Sequence, residues 1–278
     1  MRGLIVTKNA NLFSIDDGKM IYKVYPSGKT KEEGIYVGDN VEFDECITKV
    51  LPRKNLLIRP PIANVDKMFI IIAPIPKPDF MLVDKILIYC DIYGIKPYIV
   101  VAKYDLDKTL YDKVKAIYGK YYNVIKVCAH KKDINELTCE IEGVCTLAGQ
   151  SASGKSSIIN AIFDDSRLAE IGNLSRKIAR GKQTTRIVNL YKLDKGYLAD
   201  TAGFSYLDLS MVTDLEYQKL SSYYPDFLKA RAECKYRSCL HDHGECGVIK
   251  YVEQGKIPQI RYTNYLKILD EMMSARKY

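Results

Sequence analysis

Long apolar runs without alternation lie in the middle of the chain. Segments 68–73, 98–101 and 144–148 are continuous apolar runs of strand length, which is typical of strands buried on both faces. Helical patterns at about 79–94 and 110–121 fall among them. Strands that alternate with helices predict a parallel sheet with helices on both faces, and such a sheet binds ligands at the carboxyl ends of its strands.

The two ends of the chain follow other patterns. Before about residue 62, short apolar runs such as 20–22 and 41–43 are separated by turns at 26–28 and 37–39. Several short strands between turns predict a small antiparallel barrel, and a linker around Arg59 and the two prolines after it marks its end. Near the C-terminus, 261–269 predicts an amphipathic helix whose tyrosines pack against the protein rather than stack on RNA.

The composition is that of a globular protein without a membrane segment. Hydrophobic residues make up 47% of 278 residues, and no run approaches 18 apolar residues. Residues 1–8 become polar too early for a signal peptide, so we expect a cytoplasmic protein. The net charge of +8 suits a polyanionic partner. The basic run 176–182 is either a contact for RNA phosphates or a solvated loop.

The segment 149–156, G-Q-S-A-S-G-K-S, matches the phosphate-loop pattern G-x-x-x-x-G-K-[ST] between an apolar strand and a helix. Its amides wrap an anion, Lys155 reaches the outer phosphates, and the Ser156 hydroxyl binds Mg²⁺. The residues predicted to hold the phosphates are Gly149, Gln150, Ser151, Ala152, Ser153, Gly154, Lys155, Ser156 and Ser157.

A base-recognition motif precedes this loop. After the apolar run 97–101, the residues Ala102, Lys103, Tyr104 and Asp105 form a variant of N-K-x-D. The Asp105 carboxylate would accept from two N–H groups of guanine that adenine lacks, so the motif favours guanine. Cys128 and Ala129 form a weaker, S-A-K-like signal for a loop that backs the base.

The remaining nucleotide motifs follow the phosphate loop. Thr184 and Thr185 offer hydroxyls to Mg²⁺ and the terminal phosphate. Asp200 begins a D-x-x-G motif in which its carboxylate holds Mg²⁺ and the amide of Gly203 senses the γ-phosphate. In a common GTPase, base recognition comes last along the chain. This order therefore predicts a circularly permuted GTPase, in which the Asp200 segment leads directly into the C-terminal region.

A cysteine and histidine cluster lies near the C-terminus. The spacing Cys234-x4-Cys239-x-His241-x4-Cys246 supplies three thiolates and one imidazole, which predicts a closed, structural zinc site. His243 is an alternative imidazole. The other five of the 8 cysteines are expected to be buried, reduced thiols.

Together with these motifs, segments 37–41, 53–60 and 63–66 resemble the ribosome small-subunit-dependent GTPase A family over essentially the whole chain. That resemblance implies a multidomain α/β protein. It implies an oligonucleotide-binding (OB-fold) barrel at 1–62, a circularly permuted P-loop GTPase domain at 63–210 and a helical zinc-binding domain at 211–278. It also implies one structural Zn²⁺, Mg²⁺ with GTP, and binding to the small ribosomal subunit and its rRNA.

The chain departs from the family pattern at Ala102, Gln183 and Ala202, where relatives usually have Asn, His and Pro. Losing the Asn removes a hydrogen bond to the base and a strut toward the phosphate loop. The position after Gly203, often a catalytic Gln in other GTPases, is Phe204. The family's switch His is a candidate replacement there, so Gln183 at that position is our hypothesis for the group that orients water.

The motifs, together with what the resemblance implies, lead us to expect a GTPase checkpoint in late assembly of the small subunit, with slow intrinsic turnover that RNA contact accelerates. One alternative is an RNA-binding assembly chaperone with a degenerate nucleotide site, motivated by Ala102 and Phe204. Another is an ATPase that uses the same phosphate loop. We expect a monomer, because three linked domains contain no coiled coil.

Overall fold

The computed structural model describes residues 1–58, 60–163, 188–200, 209 and 215–275. Its strands, in chain order, are β1 (Arg2–Asn9), β2 (Leu12–Asp16), β3 (Ile21–Pro26), β4 (Asn40–Phe43), β5 (Cys46–Val50), β6 (Leu56–Ile58), β7 (Pro61–Ala63), β8 (Lys67–Ile72), β9 (Lys96–Val101), β10 (Asn123–Lys126), β11 (Gly143–Gly149), β12 (Asn189–Lys192) and β13 (Gly196–Asp200). Its helices are α1 (Gly28–Glu33), α2 (Phe80–Ile92), α3 (Thr109–Tyr118), α4 (Asn135–Thr138), α5 (Lys155–Ile162), α6 (Leu228–Arg231), α7 (Gly247–Glu253) and α8 (Gln259–Ala275).

The first five strands form a closed barrel. Their order is β1-β2-β3-β5-β4, and β4 pairs back onto β1, which removes both sheet edges. The predicted barrel is therefore confirmed, but it is not wholly antiparallel, because β3 and β5 pair in parallel. The predicted turn at 26–28 is instead the start of α1, because the Ser27 hydroxyl accepts the amide of Thr30 and caps the helix.

The central sheet is parallel and covered on both faces. Strands β10, β9, β8, β11 and β13 lie side by side in this order. Along β8, Met68 and Ile70 pack with α2 and α3, whereas Phe69 and Ile71 pack against α4 and α5. Because both faces are buried, the strand is a continuous apolar run, as the sequence pattern predicts.

A network of side-chain hydrogen bonds joins the barrel to this sheet. Arg53 donates from two nitrogens to the carboxylate of Asp39 at 2.6 and 2.8 Å, and Asn64 donates to the carbonyl of Gly38 at 2.8 Å. Gly38 has φ 89°, and a Cβ there would lie 2.1 Å from the carbonyl oxygen of Ala63. Only glycine fits this approach. These residues belong to the segments that carry the family resemblance, and they hold the barrel against the central sheet.

The barrel also continues the central sheet through β12. Strand β1 pairs antiparallel with β12 at Thr7 and Asn189, and β12 pairs with β13. Beside this pairing, the buried carboxylate of Asp16 accepts from Lys192 at 3.0 Å and from the Tyr197 hydroxyl at 3.0 Å. Burial and this hydrogen bond raise the pKa of Tyr197 to about 12. The barrel therefore contacts both strands of the β12–β13 hairpin.

The C-terminal region is anchored by one arginine. Arg261 on α8 is buried, donates to Asp226 at 2.8 and 3.1 Å, and forms an ion pair with Asp84 on α2. Its guanidinium lies 4.5 Å from the ring centroid of Tyr224 and 5.1 Å from that of Tyr118. The guanidinium thus joins α8, α2 and α3 in one buried cluster.

Two sequence expectations need correction. The predicted linker around the prolines is a short antiparallel hairpin, β6 with β7, because the Leu57 and Ile62 side chains are fully buried. Among the cysteines expected to be buried, Cys139 is exposed and Cys46 is half-buried. A cysteine without a pattern around it carries no signal of its depth.

We predict that Arg261→Met lowers the free energy of unfolding by about 3–5 kcal/mol, because it leaves two buried carboxylates without their cation. Urea unfolding of the full chain measures this. The control is Lys267→Met, an exposed lysine on the same helix, which should change the value by less than about 0.5 kcal/mol. Equal small losses in both variants would contradict the anchoring role.

Candidate functional site

The phosphate loop lies between β11 and α5. Gly149 and Gly154 have φ of 125° and 112°, in the region that favours glycine. A Cβ on Gly149 would lie 2.2 Å from the carbonyl oxygen of Ile71 in the neighbouring strand. The glycine is needed because the loop leaves the sheet against that backbone. The amides at the N-terminus of α5 then face outward at the strand's carboxyl end, where an anion binds.

The phosphate loop contains one ammonium without a carboxylate partner and one hydroxyl without a hydrogen-bond partner among the described residues. The Lys155 ammonium donates to the carbonyls of Gly149 at 2.7 Å and Gln150 at 2.5 Å, and desolvation lowers its pKa. In the described part of the chain it has no carboxylate partner. The buried Ser153 hydroxyl has no hydrogen-bond partner among the described residues. An anionic ligand would satisfy both groups.

Lys103 connects the base-recognition motif to the phosphate loop. With φ 52°, it turns its ammonium to the carbonyls of Ala152 at 2.8 Å and Ile75 at 2.7 Å. In the family pattern an Asn at position 102 supports the phosphate loop, and in this chain Lys103 provides such a support. The side chain of Gln150 makes a different link, from the phosphate loop to α2, by accepting the amide of Asp79, the N-cap of that helix. Both residues belong to predicted motifs, but the sequence gives no signal for these contacts.

The predicted guanine site is a cleft of about 160 Å³ beside the phosphate loop. Its walls include Ala102, Lys103, Asp105, Cys128 and Ala129, so the structure brings the two base-recognition segments together. They meet because β9 and β10 are parallel neighbours with their carboxyl ends on the same side. Tyr104 lies outside this wall and contacts Tyr111 and Lys126 instead.

Cys128 is the immediate neighbour of the predicted base-binding carboxylate. A hydrogen bond from its thiol lowers the pKa of Asp105, and burial raises the pKa of the thiol. Asp105 is therefore ionised and able to accept hydrogen bonds at neutral pH. His130 also lines the cleft. No sequence pattern singled out His130, although it directly follows Ala129 in the weaker motif.

The predicted magnesium motif begins at the last residue of the strand next to the phosphate loop. Asp200 is the last residue of β13, which pairs in parallel with β11, so it lies at the same sheet edge as the loop. Desolvation raises the pKa of its carboxyl, and a bound cation would favour the ionised form. The hydroxyl of Ser156 and this carboxylate are oxygen ligands of the kind Mg²⁺ takes.

Several predicted site residues lie outside the described part of the chain. They are Gln183, Thr184, Thr185, Ala202, Gly203 and Phe204. The basic run 176–182 lies outside it too.

The cysteine and histidine cluster forms one compact group of ligand atoms. The atoms of Cys234, Cys239, His241 and Cys246 all lie within 4.8 Å of one another. Cys234 Sγ is 3.8 Å from Cys246 Sγ, and His241 Nδ1 is 3.5 and 3.3 Å from these two sulfurs. Around a tetrahedral zinc ion the same separations are about 3.8 and 3.5 Å. The donor set therefore fits zinc.

The protonation states of this group also fit a metal. Burial lowers the pKa of His241 to about 4, so its imidazole is neutral and able to bind an ion. Burial raises the pKa of the Cys246 thiol to about 12, so a metal must replace its proton. The alternative ligand, His243, points away, since its side chain is 87% exposed and paired with Asp242.

Helix α8 holds in place the loop formed by residues 234–246, here called the metal loop. The hydroxyls of Tyr262 and Tyr265 donate to the carbonyls of His241 at 2.8 Å and Leu240 at 2.6 Å. These tyrosines are buried, so the packing interpretation of the C-terminal helix is correct. Since Arg261 lies on the same helix, the metal loop is anchored to the central sheet.

Sequence and structure comparisons agree on the relatives of this chain. The family described as RsgA GTPase matches residues 50–210. A small ribosomal subunit biogenesis GTPase RsgA from Carboxydothermus hydrogenoformans is 38% identical over 100% of this chain and 99% of the relative. The one from Streptococcus agalactiae is 33% identical over 100% and 97%.

Two solved structures share the fold. The crystal structure of YjeQ from Thermotoga maritima is similar with a TM-score of 0.81 and 32% identity, covering 98% of both chains. YloQ, described as a circularly permuted GTPase, has a TM-score of 0.79 and 24% identity, covering 98% of this chain and 95% of its own. The barrel followed by a permuted sheet is therefore an architecture these proteins share. In the described ranges, no helix combines the length and apolar character needed to cross a membrane.

We predict that the purified chain contains about one zinc ion and that Cys239→Ala abolishes this stoichiometry, because three ligands hold the ion far less tightly than four. Metal analysis by mass spectrometry gives the ratio. Cys139→Ala, an exposed cysteine outside the cluster, is the control and should keep the ion. Equal zinc in both variants, or none in the parent chain, would refute the assignment.

Proposed function

The chain belongs to the RsgA family of GTPases, and on this premise we propose that it hydrolyses GTP to GDP and phosphate in late maturation of the small ribosomal subunit. The observation that carries the proposal is the joining of two motifs. The cleft that contains Asp105 also contains Gly154 of the phosphate loop, although base recognition comes first along the chain. A nucleotide therefore reaches both at once.

Guanine is the base that suits this cleft. Asp105 is an ionised acceptor, and a pair of N–H donors on one edge of the base satisfies both of its oxygens. Adenine offers no such pair, so the carboxylate would lose water without compensation. Ala102 contributes no hydrogen bond, and Lys103 rather than an Asn fixes the distance between base and phosphates.

The phosphate end supplies charge neutralisation. Lys155 would face the outer phosphates once its carbonyl partners release it, and Ser156 and Asp200 would hold Mg²⁺. That ion, when bound, neutralises the charge that develops on the phosphates. Thr184, Thr185 and Gly203 complete this part of the site in our proposal. Gln183 stays our candidate for orienting water. Phe204 cannot form the hydrogen bond that orients water, so we expect a slow intrinsic rate.

The other parts of the chain suit a ribosomal partner. We assign residues 1–62 to an RNA-binding barrel, 63–210 to the GTPase domain and 211–278 to the zinc domain, acting as a cytoplasmic monomer on rRNA. Five-stranded barrels of this type bind oligonucleotides on their strands and loops. The basic run 176–182 lies next to the predicted switch threonines, where RNA contact and nucleotide state would meet.

The contact between barrel and hairpin gives a route from RNA to the site. Thr7 in β1 pairs with Asn189 in β12, and Asn189 pairs with Asp200 in β13. Asp200 is therefore two strands, about 10 Å, from the barrel. Asp16 holds the far end of the hairpin through Lys192 and Tyr197. A barrel moved by RNA would shift the hairpin and with it Asp200.

We predict that small ribosomal subunits strongly stimulate phosphate release from GTP and not from ATP, at one fixed salt concentration. Asp105→Ala should reduce the ratio of GTP affinity to ATP affinity by roughly 100-fold, because two hydrogen bonds to a charged acceptor are lost. Asp112→Ala, an exposed carboxylate on α3, should leave the preference unchanged. Tight subunit binding without hydrolysis would instead indicate an assembly chaperone.

We predict that Asp16→Asn lowers subunit-stimulated kcat by about five- to ten-fold, because a charge-assisted contact to the hairpin is lost. Affinity for GTP and the basal kcat should change by less than two-fold. Glu42→Gln, which breaks an exposed barrel ion pair with Arg2, is the control. A parallel loss of basal and stimulated rates would point to general destabilisation rather than to coupling.

A further inference from the structure

The metal loop presents an aromatic side chain to solvent. Between Cys234 and Cys239 lie four exposed residues, of which Tyr236 is 63% exposed. The neighbouring tyrosines of the C-terminal region behave differently: Tyr262 and Tyr265 are buried and bonded to the loop's carbonyls. A large ring held in water at the tip of an anchored loop is a feature of contact surfaces.

Tyr236 forms one wall of an open cleft. The cleft is about 430 Å³, and its other wall is the second arm of the loop, which contains Asp242, His243 and Glu245. Both arms are spacers between metal ligands, so the ligands that bring the sulfurs together also force the arms outward. This volume is within the range of small-ligand sites, about 300–1,000 Å³.

Charge is distributed unevenly over the two walls. Lys235 lies 5.6 Å from the ring centroid of Tyr236, and Arg237 follows it. In the described part of the chain, neither cation has an ion-pair partner. On the opposite wall, Asp242 is paired with His243, and Glu245 carries a second carboxylate. An anionic ligand would therefore follow the Tyr236 arm.

We propose that this zinc-loop cleft binds an unpaired RNA nucleotide. The base stacks on Tyr236, the flanking phosphates lie against Lys235 and Arg237, and the carboxylates opposite accept N–H groups of the base. The proposal rests on the proposed function, which supplies RNA as the partner, and it adds the contact site and the single-stranded form of the RNA. Stacking on exposed aromatic rings, with cations beside the backbone, is how proteins hold single-stranded nucleic acid.

The loop is prepared for such a contact. Four ligands and two tyrosine hydroxyls fix its backbone, so binding orders little more than the side chains. Tyr and Arg are enriched at protein interfaces as well, so the choice of RNA rests on the two cations beside the ring, which match a phosphate backbone, and on Lys235, a residue type depleted from protein interfaces. Base-paired RNA is excluded from the cleft, because its bases are stacked on one another.

The test uses the full, zinc-loaded chain and a fluorescein-labelled single-stranded RNA of eight nucleotides of mixed sequence. We expect Tyr236→Ala to weaken binding by about ten-fold or more, and Tyr236→Phe to stay within two-fold, because the ring is retained. Lys235→Ala and Arg237→Ala should each lower the slope of log affinity against log salt by about 0.7. A duplex of the same length should compete poorly.

Tyr121→Ala is the matched control, since Tyr121 is 38% exposed and has Lys120 5.1 Å from its ring centroid, but lies far from the metal loop in the chain. It should change RNA affinity by less than two-fold. Zinc content is measured for every variant, and equal zinc shows that the loop is intact. An equal loss in Tyr121→Ala and Tyr236→Ala would overturn the proposal.

Two further outcomes separate this proposal from the proposed function. If Tyr236→Ala weakens binding to small ribosomal subunits but not to the RNA, the cleft contacts a ribosomal protein and the proposal is wrong. If Tyr236→Ala binds RNA like the parent chain while subunits still stimulate GTP hydrolysis, the cleft proposal fails and the function stands. Absence of stimulation in the parent chain would defeat the function itself, whatever its RNA affinity.

Discussion

Parallel pairing of β8, β11 and β13 is the constraint on which the rest of the molecule depends. It puts the phosphate loop and Asp200 at one edge of the sheet, and the neighbouring β9 adds the base-recognition residues there. Backbone hydrogen bonds do not depend on the order in which strands occur along the chain. A permuted sequence therefore builds the same edge, provided that each strand keeps its neighbours.

Buried polar contacts join the three parts of the chain. Arg53 with Asp39, Lys192 with Asp16, and Arg261 with Asp84 each place a carboxylate that is nearly inaccessible to water against a cation. Apolar contacts would tolerate small rotations, whereas a buried carboxylate loses its compensation when its cation moves. These contacts hold the barrel and the metal loop in fixed positions relative to the phosphate loop and the base-recognition segments.

The structure shows what replaces a side chain that this chain lacks relative to the family pattern. Ala102 lacks the polar side chain of the usual Asn, but Lys103 still joins the base-recognition segment to the phosphate loop, because its ammonium donates to the carbonyls of Ala152 and Ile75. We therefore expect the missing side chain to affect nucleotide affinity more than the geometry of the site. The metal loop likewise serves two purposes, since the ligands that close it also project Tyr236 outward.

The sequence by itself determined the barrel, the parallel strands, the phosphate loop and the group of three cysteines and one histidine that could hold a metal, because periodicity and residue spacing are local properties. The sequence favoured His241 as the fourth member of the group and left His243 as an alternative. The structure places His241 in the group and leaves the His243 side chain 87% exposed. Only the tertiary structure decided the exposure of Cys139. It also decided the contact of Lys103 with the phosphate loop, the contact of Asp16 with the hairpin and the anchoring by Arg261. These join residues far apart in the chain, as Asp16 and Lys192 do, and no local pattern records which distant group a buried charge will meet.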